Sequence, residues 1–492
     1  MKDLKERAIR GGFAKVCAQA ANFLLRLCSV MALARLLTPR DFGLVGMVTA
    51  LTGVLSLFHD FGLSSAAIQR VTVTEEQIST LFWINMVVGA ILSLLTFFMA
   101  PFIAGFYHEP RLLGVTAMLG AGFLFNAAGV QHGALLQRQM RFTTVAGIDT
   151  LSLVLSVAVG IGMAFRGYGY WALVVMTVSL PLTGTLGLWL ANTWIPGAPR
   201  RGIGIRSMMR FGGTLTLNGL ILYIASNFEK VLLGRFWGAE ALGIYGRAYQ
   251  LIRIPTDNLN SAVGEVAFSA LSRIQDDPSR LKSYFLKGYA LVLGFTVSIT
   301  IACALFADDI VLVLLGPKWK EAVPIFRLLA PTMLIFAITN PLGWLLNSIG
   351  LVGRGLKIAL VIAPLMVASY IVGLPYGPRG VAFAYSAVMM VWVVPVIIWA
   401  VQGTAISFWD VLRATRPPLA SIIPAASFGF GIHLLLGQTG SPWLRLFLEA
   451  LVLFTTYFGV LLFVAGQKLL YLDLLRGLAS SSSVKPKGLV SA

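Results

Sequence analysis

Apolar runs long enough to cross a bilayer recur along the whole chain, and this recurrence restricts it to a membrane-spanning helical fold. A bilayer helix needs about 20 mostly apolar residues. About fourteen stretches reach that length: roughly 13–37, 42–63, 77–101, 112–136, 143–165, 169–194, 208–236, 240–270, 284–307, 322–349, 356–374, 379–402, 411–436 and 443–465. Backbone amides in hydrocarbon must bond within their own segment or within a closed barrel, and runs of this length satisfy themselves as helices. The chain is therefore expected to be an all-α integral membrane protein. Of its 492 residues 57% are hydrophobic and only 12% charged, where soluble domains carry about a quarter charged residues. A net charge of +18 would point a soluble chain toward nucleic acid. Here the basic residues are spread over many short loops, so no nucleic-acid partner is expected.

The first span is not a passive anchor. Lys15, Gln19, Asn22, Arg26 and Ser29 recur at spacings of four, three, four and three, which is one face of a helix. Charge in hydrocarbon is costly unless it lines water or finds a partner, so this face is expected to look into an aqueous lumen, with Arg26 near mid-bilayer. The basic start, Met1 to Gly12, resembles that of a signal peptide, but Lys15 and Arg26 interrupt the apolar run and it is too long for a cleaved one.

The stretch Met31-Ala-Leu-Ala-Arg35-Leu-Leu-Thr-Pro-Arg-Asp-Phe-Gly43-Leu-Val-Gly46 aligns without a gap with Val231-Leu-Leu-Gly-Arg235-Phe-Trp-Gly-Ala-Glu-Ala-Leu-Gly243-Ile-Tyr-Gly246. Both copies sit at the loop between two apolar spans, and each follows a basic entry, with Arg10 and Gly12 falling on Arg210 and Gly212. Two halves of one transporter follow, each with an even number of spans and hence parallel repeats. The expected division is a six-helix bundle over 1–194, a linker over 195–206, a second six-helix bundle over 207–403, two further spans within 404–470, and a disordered tail over 471–492. Loops on the side of the N-terminus carry more than twice the Lys and Arg of the other side, which places both termini in the cytoplasm.

Most of the remaining intramembrane charge falls on the second, seventh and eighth spans. A lumen lined by Lys15, Arg26, Arg247 and Arg253 would be net cationic even with Asp257 and Glu229 present, and guanidinium offers bidentate donors to a phosphate. Tyr223, Tyr245 and Tyr249, with Gln19, Asn22, Asn218 and Asn227, add flat faces and hydrogen-bonding groups suited to a sugar. The substrate-binding set is thus Lys15, Gln19, Asn22, Arg26, Tyr223, Asn227, Arg247, Tyr249 and Arg253, and the coupling or gating set is Asp60, Glu229, Lys230 and Asp257. Lys15 and Asp60 lie near span ends, where snorkelling to headgroups is an equal reading. Asp149 and His132 are expected to be structural hydrogen-bonding groups. Three scattered cysteines and four scattered histidines offer neither a disulfide framework nor a metal site, and no nucleophile elbow, phosphate loop or dinucleotide fingerprint is present. No enzyme, cofactor or metal is expected.

Several stretches resemble one known family: Leu33-Ala-Arg-Leu-Leu-Thr-Pro-Arg-Asp-Phe-Gly-Leu-Val-Gly-Met47, Asp60-Phe-Gly-Leu-Ser64 with Ile68-Gln-Arg70, Gln131-His through Arg141-Phe, Gly234-Arg-Phe through Ala248-Tyr-Gln250, Ala270-Leu-Ser-Arg-Ile-Gln-Asp-Asp-Pro278, and Leu315-Gly-Pro-Lys-Trp319. They are similar to the Wzx-type polysaccharide flippases, nearest the colanic acid exporter type, in the multidrug/oligosaccharidyl-lipid/polysaccharide exporter (MOP) superfamily. The resemblance implies a bacterial inner-membrane protein with two parallel six-helix bundles in a V, as in MATE transporters, plus two C-terminal helices. It also implies alternating access, an undecaprenyl-pyrophosphate-linked oligosaccharide as cargo, drive from a proton or sodium gradient, and a polysaccharide polymerase and chain-length regulator as partners. Rival readings are a lipid II flippase or a multidrug antiporter of the same superfamily. A membrane-embedded polymerase or ligase would call for a sizeable periplasmic loop, and none is evident.

Overall fold

The computed structural model describes residues 21–58, 74–200, 206–437, 440–469 and 471–472. Among these the regular structure is all helix, with no strand. The helices are α1 (21–36), α2 (Pro39–Ser56), α3 (Glu75–Tyr107), α4 (Leu112–Arg138), α5 (Phe142–Phe165), α6 (Tyr170–Ala191), α7 (Arg206–Arg273) and α8 (Pro278–Leu305). They continue with α9 (Ala307–Leu314), α10 (Ala322–Ser348), α11 (Val352–Gly373), α12 (Gly377–Val401), α13 (Phe408–Ala420), α14 (Ile422–Leu436) and α15 (Pro442–Gly459). Helix α7 breaks at Gly238 (φ 81°, ψ −179°) and so forms two spans, while α13 and α14 together form one. Counted this way, the described residues carry the fourteen expected spans, and the short α9 lies between two of them.

The helix starts are written in the sequence as caps. Thr38 and Asp41 form a reciprocal capping box at α2, Thr74 and Gln77 one at α3, and Ser407 and Asp410 one at α13; each satisfies two amides that a helix start leaves unbonded. At α8 the Asp277 carboxylate accepts from the backbone N–H groups of Arg280 and Ser279 at 3.0 and 3.1 Å. The Arg280 amide first, then the Ser279 hydroxyl, hold its carboxyl below the usual carboxylate range. Pro181, Pro255, Pro331, Pro341, Pro364 and Pro395 lie inside helices.

By contacts the chain forms two compact units: residues 1–246 with 314–320 and 366–381, and residues 247–313 with 321–365 and 382–492. In the first unit the sequence repeat becomes a physical crossing. A Cβ on Gly43 would sit 1.6 Å from the Ala239 carbonyl oxygen, and one on Gly243 would sit 1.8 Å from the Pro39 oxygen. The two repeat-related helices therefore meet backbone to backbone, and only glycine permits that approach.

The loops above this crossing are latched to helix ends. Trp319 is fully buried and donates from Nε1 to the Ala34 oxygen at 2.8 Å, while Lys318 donates from Nζ to the Arg35 oxygen at 3.2 Å. Both occupy carbonyls that the end of α1 leaves without an intrahelical partner. Arg235, the repeat counterpart of Arg35, donates to His108 Nδ1 at 2.7 Å and lies over the Phe106 ring. Trp237 donates to the Leu374 oxygen at 2.8 Å, which fastens the turn before α12. These contacts draw 314–320 and 366–381 into the first unit. Trp319→Phe removes the donor together with part of the buried ring; it should cost at least about 1–3 kcal/mol, read as a lowered melting temperature of the detergent-solubilised protein, and an unchanged melting temperature would show the latch to be idle.

In the second unit Leu281, Phe285, Tyr289 and Leu293 of α8 pack with Leu342 and Leu345 of α10, Ala400 of α12 and Val411 of α13. A second cluster joins Val297 and Ile301 of α8 to Ala425 of α14 and Leu453 and Tyr457 of α15. The Lys282 ammonium meets Asp410 at 2.6 Å. Both units turn large apolar side chains outward, Phe98, Phe102 and Leu190 in the first and Val391, Ile423 and Leu435 in the second. Apolar surface of this density is at home against lipid tails.

Candidate functional site

The first unit contains a cavity of about 750 Å³ walled by α1, α4, α5 and α6. Each wall is one helical face. Asn22 and Arg26 are four apart on α1; Asn126, Val130, Gly133 and Gln137 follow at four, three and four on α4; Val145, Asp149 and Ser152 do so on α5. Glycines keep the walls close. A Cβ on Gly129 would meet Thr185 Oγ1 at 2.4 Å, and Thr185 itself donates to the Phe125 oxygen at 2.7 Å. Trp189 donates to the Ala128 oxygen at 2.9 Å, so α4 and α6 are tied next to the cavity.

The charged groups among the described lining residues are one guanidinium, Arg26, and one carboxylate, Asp149, both exposed. Arg26 has neither an ion pair nor a hydrogen bond among the described residues, and the Asn22 Oδ1 is buried without a partner. A guanidinium with amide groups beside it can bind an anion and the hydroxyls next to that anion. The volume falls within the roughly 300–1,000 Å³ of small-ligand sites.

The other expected site residues are distributed as follows. Lys15, Gln19 and Asp60 lie outside the described residues. On α7, Tyr223 packs over Gly53, where a Cβ would meet its hydroxyl at 1.7 Å, and donates to the Thr49 oxygen at 3.3 Å. Asn227 donates to the Tyr223 oxygen at 2.9 Å, and Lys230 donates to Asn227 Oδ1 at 2.7 Å. Lys230 thus bonds the amide one turn back, and its neighbour Glu229 is buried at 1% exposure. In the second unit Arg247 donates to Gln250, and Tyr249 is half-buried one turn before Arg253. Arg253 grips Asp257 with two donors, Nε to Oδ2 at 3.2 Å and Nη2 to Oδ1 at 3.1 Å, and lies over the Phe336 ring. The structure therefore joins Asn22 with Arg26, Tyr223 with Asn227 and Lys230, and Arg253 with Asp257.

Asn126, Gln137, Asp149, Ser152 and Thr185 were not among the expected site residues. Their signal is present in the sequence as polar positions at helical spacing, but spans four to six carry almost no charge, so these positions stand out little beside the charged spans. Asp149, expected as a structural group, lines the cavity. His132 is fully buried and stacks on Trp189 at 4.3 Å between ring centroids.

Residues 32–324 match the family described as polysaccharide biosynthesis protein. The teichuronic acid biosynthesis protein TuaB of Bacillus subtilis (strain 168) is 32% identical over 293 residues, 59% of this chain and 61% of that protein. The lipopolysaccharide biosynthesis protein WzxC of Escherichia coli (strain K12) is 25% identical over 446 residues, 88% of this chain and 89% of that one. The solved structure of the lipid II flippase MurJ in an inward closed conformation matches with a TM-score of 0.74, over 94% of this chain and 99% of its own, at 15% identity. At that identity the likeness shows a common fold.

Proposed function

Since this chain belongs to the polysaccharide biosynthesis protein family, we propose that it is a flippase that moves an undecaprenyl-pyrophosphate-linked oligosaccharide from the cytoplasmic to the periplasmic leaflet by alternating access. The observation that carries the reading is the cavity in which Arg26, without a partner among the described residues, stands beside amide side chains. Arg26 takes the pyrophosphate, where a guanidinium forms paired charge-assisted bonds. Asn22, Asn126 and Gln137 take sugar hydroxyls, since an amide both donates and accepts. In the sequence Lys15 and Gln19 fall at the same helical spacing as Asn22 and Arg26. The polyprenyl chain stays in lipid, which costs nothing in hydrophobic burial. The protein sits in the bacterial inner membrane with both termini cytoplasmic, and a proton or sodium gradient biases the inward-open and outward-open states.

Deletion of the gene tests this directly. Lipid-linked repeat units should accumulate on the cytoplasmic leaflet, surface polysaccharide should disappear, and the intact gene should restore both. Accumulation of no lipid-linked sugar would overturn the reading. The match to MurJ favours a second reading, a lipid II flippase. That reading predicts rescue of a cell depleted of its own lipid II flippase, and the first predicts no rescue.

A further inference from the structure

The last two helices contribute nothing to the cavity, yet they hold the most deeply buried ionic cluster among the described residues. Asp309 on the first turn of α9 and Glu449 on α15 are 1% and 0% exposed. Arg445, one turn before Glu449, donates from Nε to both Asp309 oxygens at 2.9 Å and from a second nitrogen to the same carboxylate. It also donates from Nη1 to the Gly437 oxygen at 3.1 Å. His433, near the end of α14, meets Glu449 Oε1 through Nδ1 at 2.7 Å. The remaining Glu449 oxygen, Oε2, is buried and has no hydrogen-bond partner among the described residues.

One ligand atom each from Asp309, His433 and Glu449 lies within 4.8 Å of the others, but the set does not suit a metal ion. Arg445 already occupies both Asp309 oxygens and brings a fixed positive charge into the place a cation would take. The charges point to a smaller ligand. With the imidazole neutral and both carboxylates ionised, Arg445 offsets Asp309 and the cluster carries a net charge of −1. One added proton makes the cluster neutral, and a buried uncompensated carboxylate is costly. The groups facing this pair are few: Asp308, paired with Arg327 of α10 at 2.7 Å, lies at the rim. From the α8 side come apolar neighbours, with Phe306 at 6.1 Å from the His433 ring and Cys303 the titratable group of that stretch. Tyr457 lies two turns further along α15. The His433 side chain is 30% exposed and Glu449 fully enclosed, so the imidazole is the way in.

We propose that His433 and Glu449 form a proton-binding site, entered through the imidazole, whose occupancy decides how firmly α14 and α15 are held to α9. With the proton bound, the four groups are charge-balanced. Without it, two carboxylates share one guanidinium, and separation of the elements is the relief. The site stands independently of the cargo proposed above.

The test uses the full-length protein in lipid nanodiscs with ¹⁵N-labelled histidine. The chain has four histidines, and loss of one set of signals in His433→Gln assigns the ring. The His433 nitrogens should change protonation state between about pH 5 and pH 9, the range in which histidine titrates near proteins' ordinary values. In Glu449→Gln, which removes the negative partner, the midpoint should fall by at least about one pH unit, a tenfold loss of proton affinity. A ring that keeps one state throughout, or a midpoint that is the same in both proteins, overturns the proposal. If Glu449→Gln is not recovered folded, the wild-type midpoint decides: one at least about one pH unit above the ordinary histidine value upholds the site, and a lower one ends it.

Discussion

Valine in place of Gly43 will remove most of the folded protein from the membrane fraction, and valine in place of Gly243 will do the same. At both positions the atoms in the way are backbone: the Ala239 carbonyl at 1.6 Å and the Pro39 carbonyl at 1.8 Å from a Cβ. A flexible side chain can swing aside, whereas a carbonyl within a helix moves only if the helix moves. Overpacking against yielding neighbours already costs about 1–3 kcal/mol, and the whole stability margin is about 5–15 kcal/mol. The neighbouring glycines are the control. A Cβ on Gly46 meets the Leu242 side chain at an ordinary 3.5 Å, and one on Gly246 meets nothing within 4 Å. Gly46→Ala and Gly246→Ala should therefore leave abundance unchanged, and alanine improves helix propensity by about 1 kcal/mol. Size-exclusion profiles of fluorescent fusions would separate the two pairs. Wild-type abundance of Gly43→Val would show that the crossing is looser than the structure has it.

Arg26→Ala will lower surface polysaccharide at least tenfold at unchanged protein abundance. The guanidinium faces a cavity and holds no described partner, so its loss costs the fold little. A hydrogen bond to a charged group is worth about 1.5–3 kcal/mol, which is roughly ten- to a hundredfold in binding of the proposed pyrophosphate. Arg26→Lys keeps the charge but loses the planar pair of donors, so it should fall between the two. Quantifying polysaccharide beside an immunoblot checks all three. Full polysaccharide in Arg26→Ala would take Arg26 out of the mechanism.

The spans were legible because helix in lipid demands long apolar runs; the capping boxes of Thr38 with Asp41 and Ser407 with Asp410 were not among the expectations, although their three-residue spacing lies in the sequence. The break at Gly238 falls two hundred positions after Thr38, between α1 and α2, and so was visible in the gapless repeat. The polar face of the first span led to Arg26 and Asn22 in the cavity. The walls opposite them were not found, because Asn126, Gln137 and Thr185 carry no charge, and uncharged polar groups in membrane helices more often bond their own backbone. Thr177 and Thr183 do this in α6. Pairings between distant segments were also hidden. Spacing along one helix gives the Arg253–Asp257 pair four residues apart, but nothing local announces that Arg445 reaches Asp309, 136 positions away. The Leu315-Gly-Pro-Lys-Trp319 motif was recognisable as a family mark without its reason, which is the pair of carbonyls at the end of α1 that Lys318 and Trp319 bond.

The glycine crossing is reciprocal: Gly43 meets Ala239 and Gly243 meets Pro39, and these four positions are the same two sites of the repeat, each taken once from either copy. A joint in which site one touches site two and site two touches site one is the joint of a symmetric homodimer. A half-length ancestor could assemble it from two identical polypeptides, with the tether between the copies acquired afterwards. Duplication and fusion would then have preserved an existing seam, and freed each copy to change its lumen without its twin.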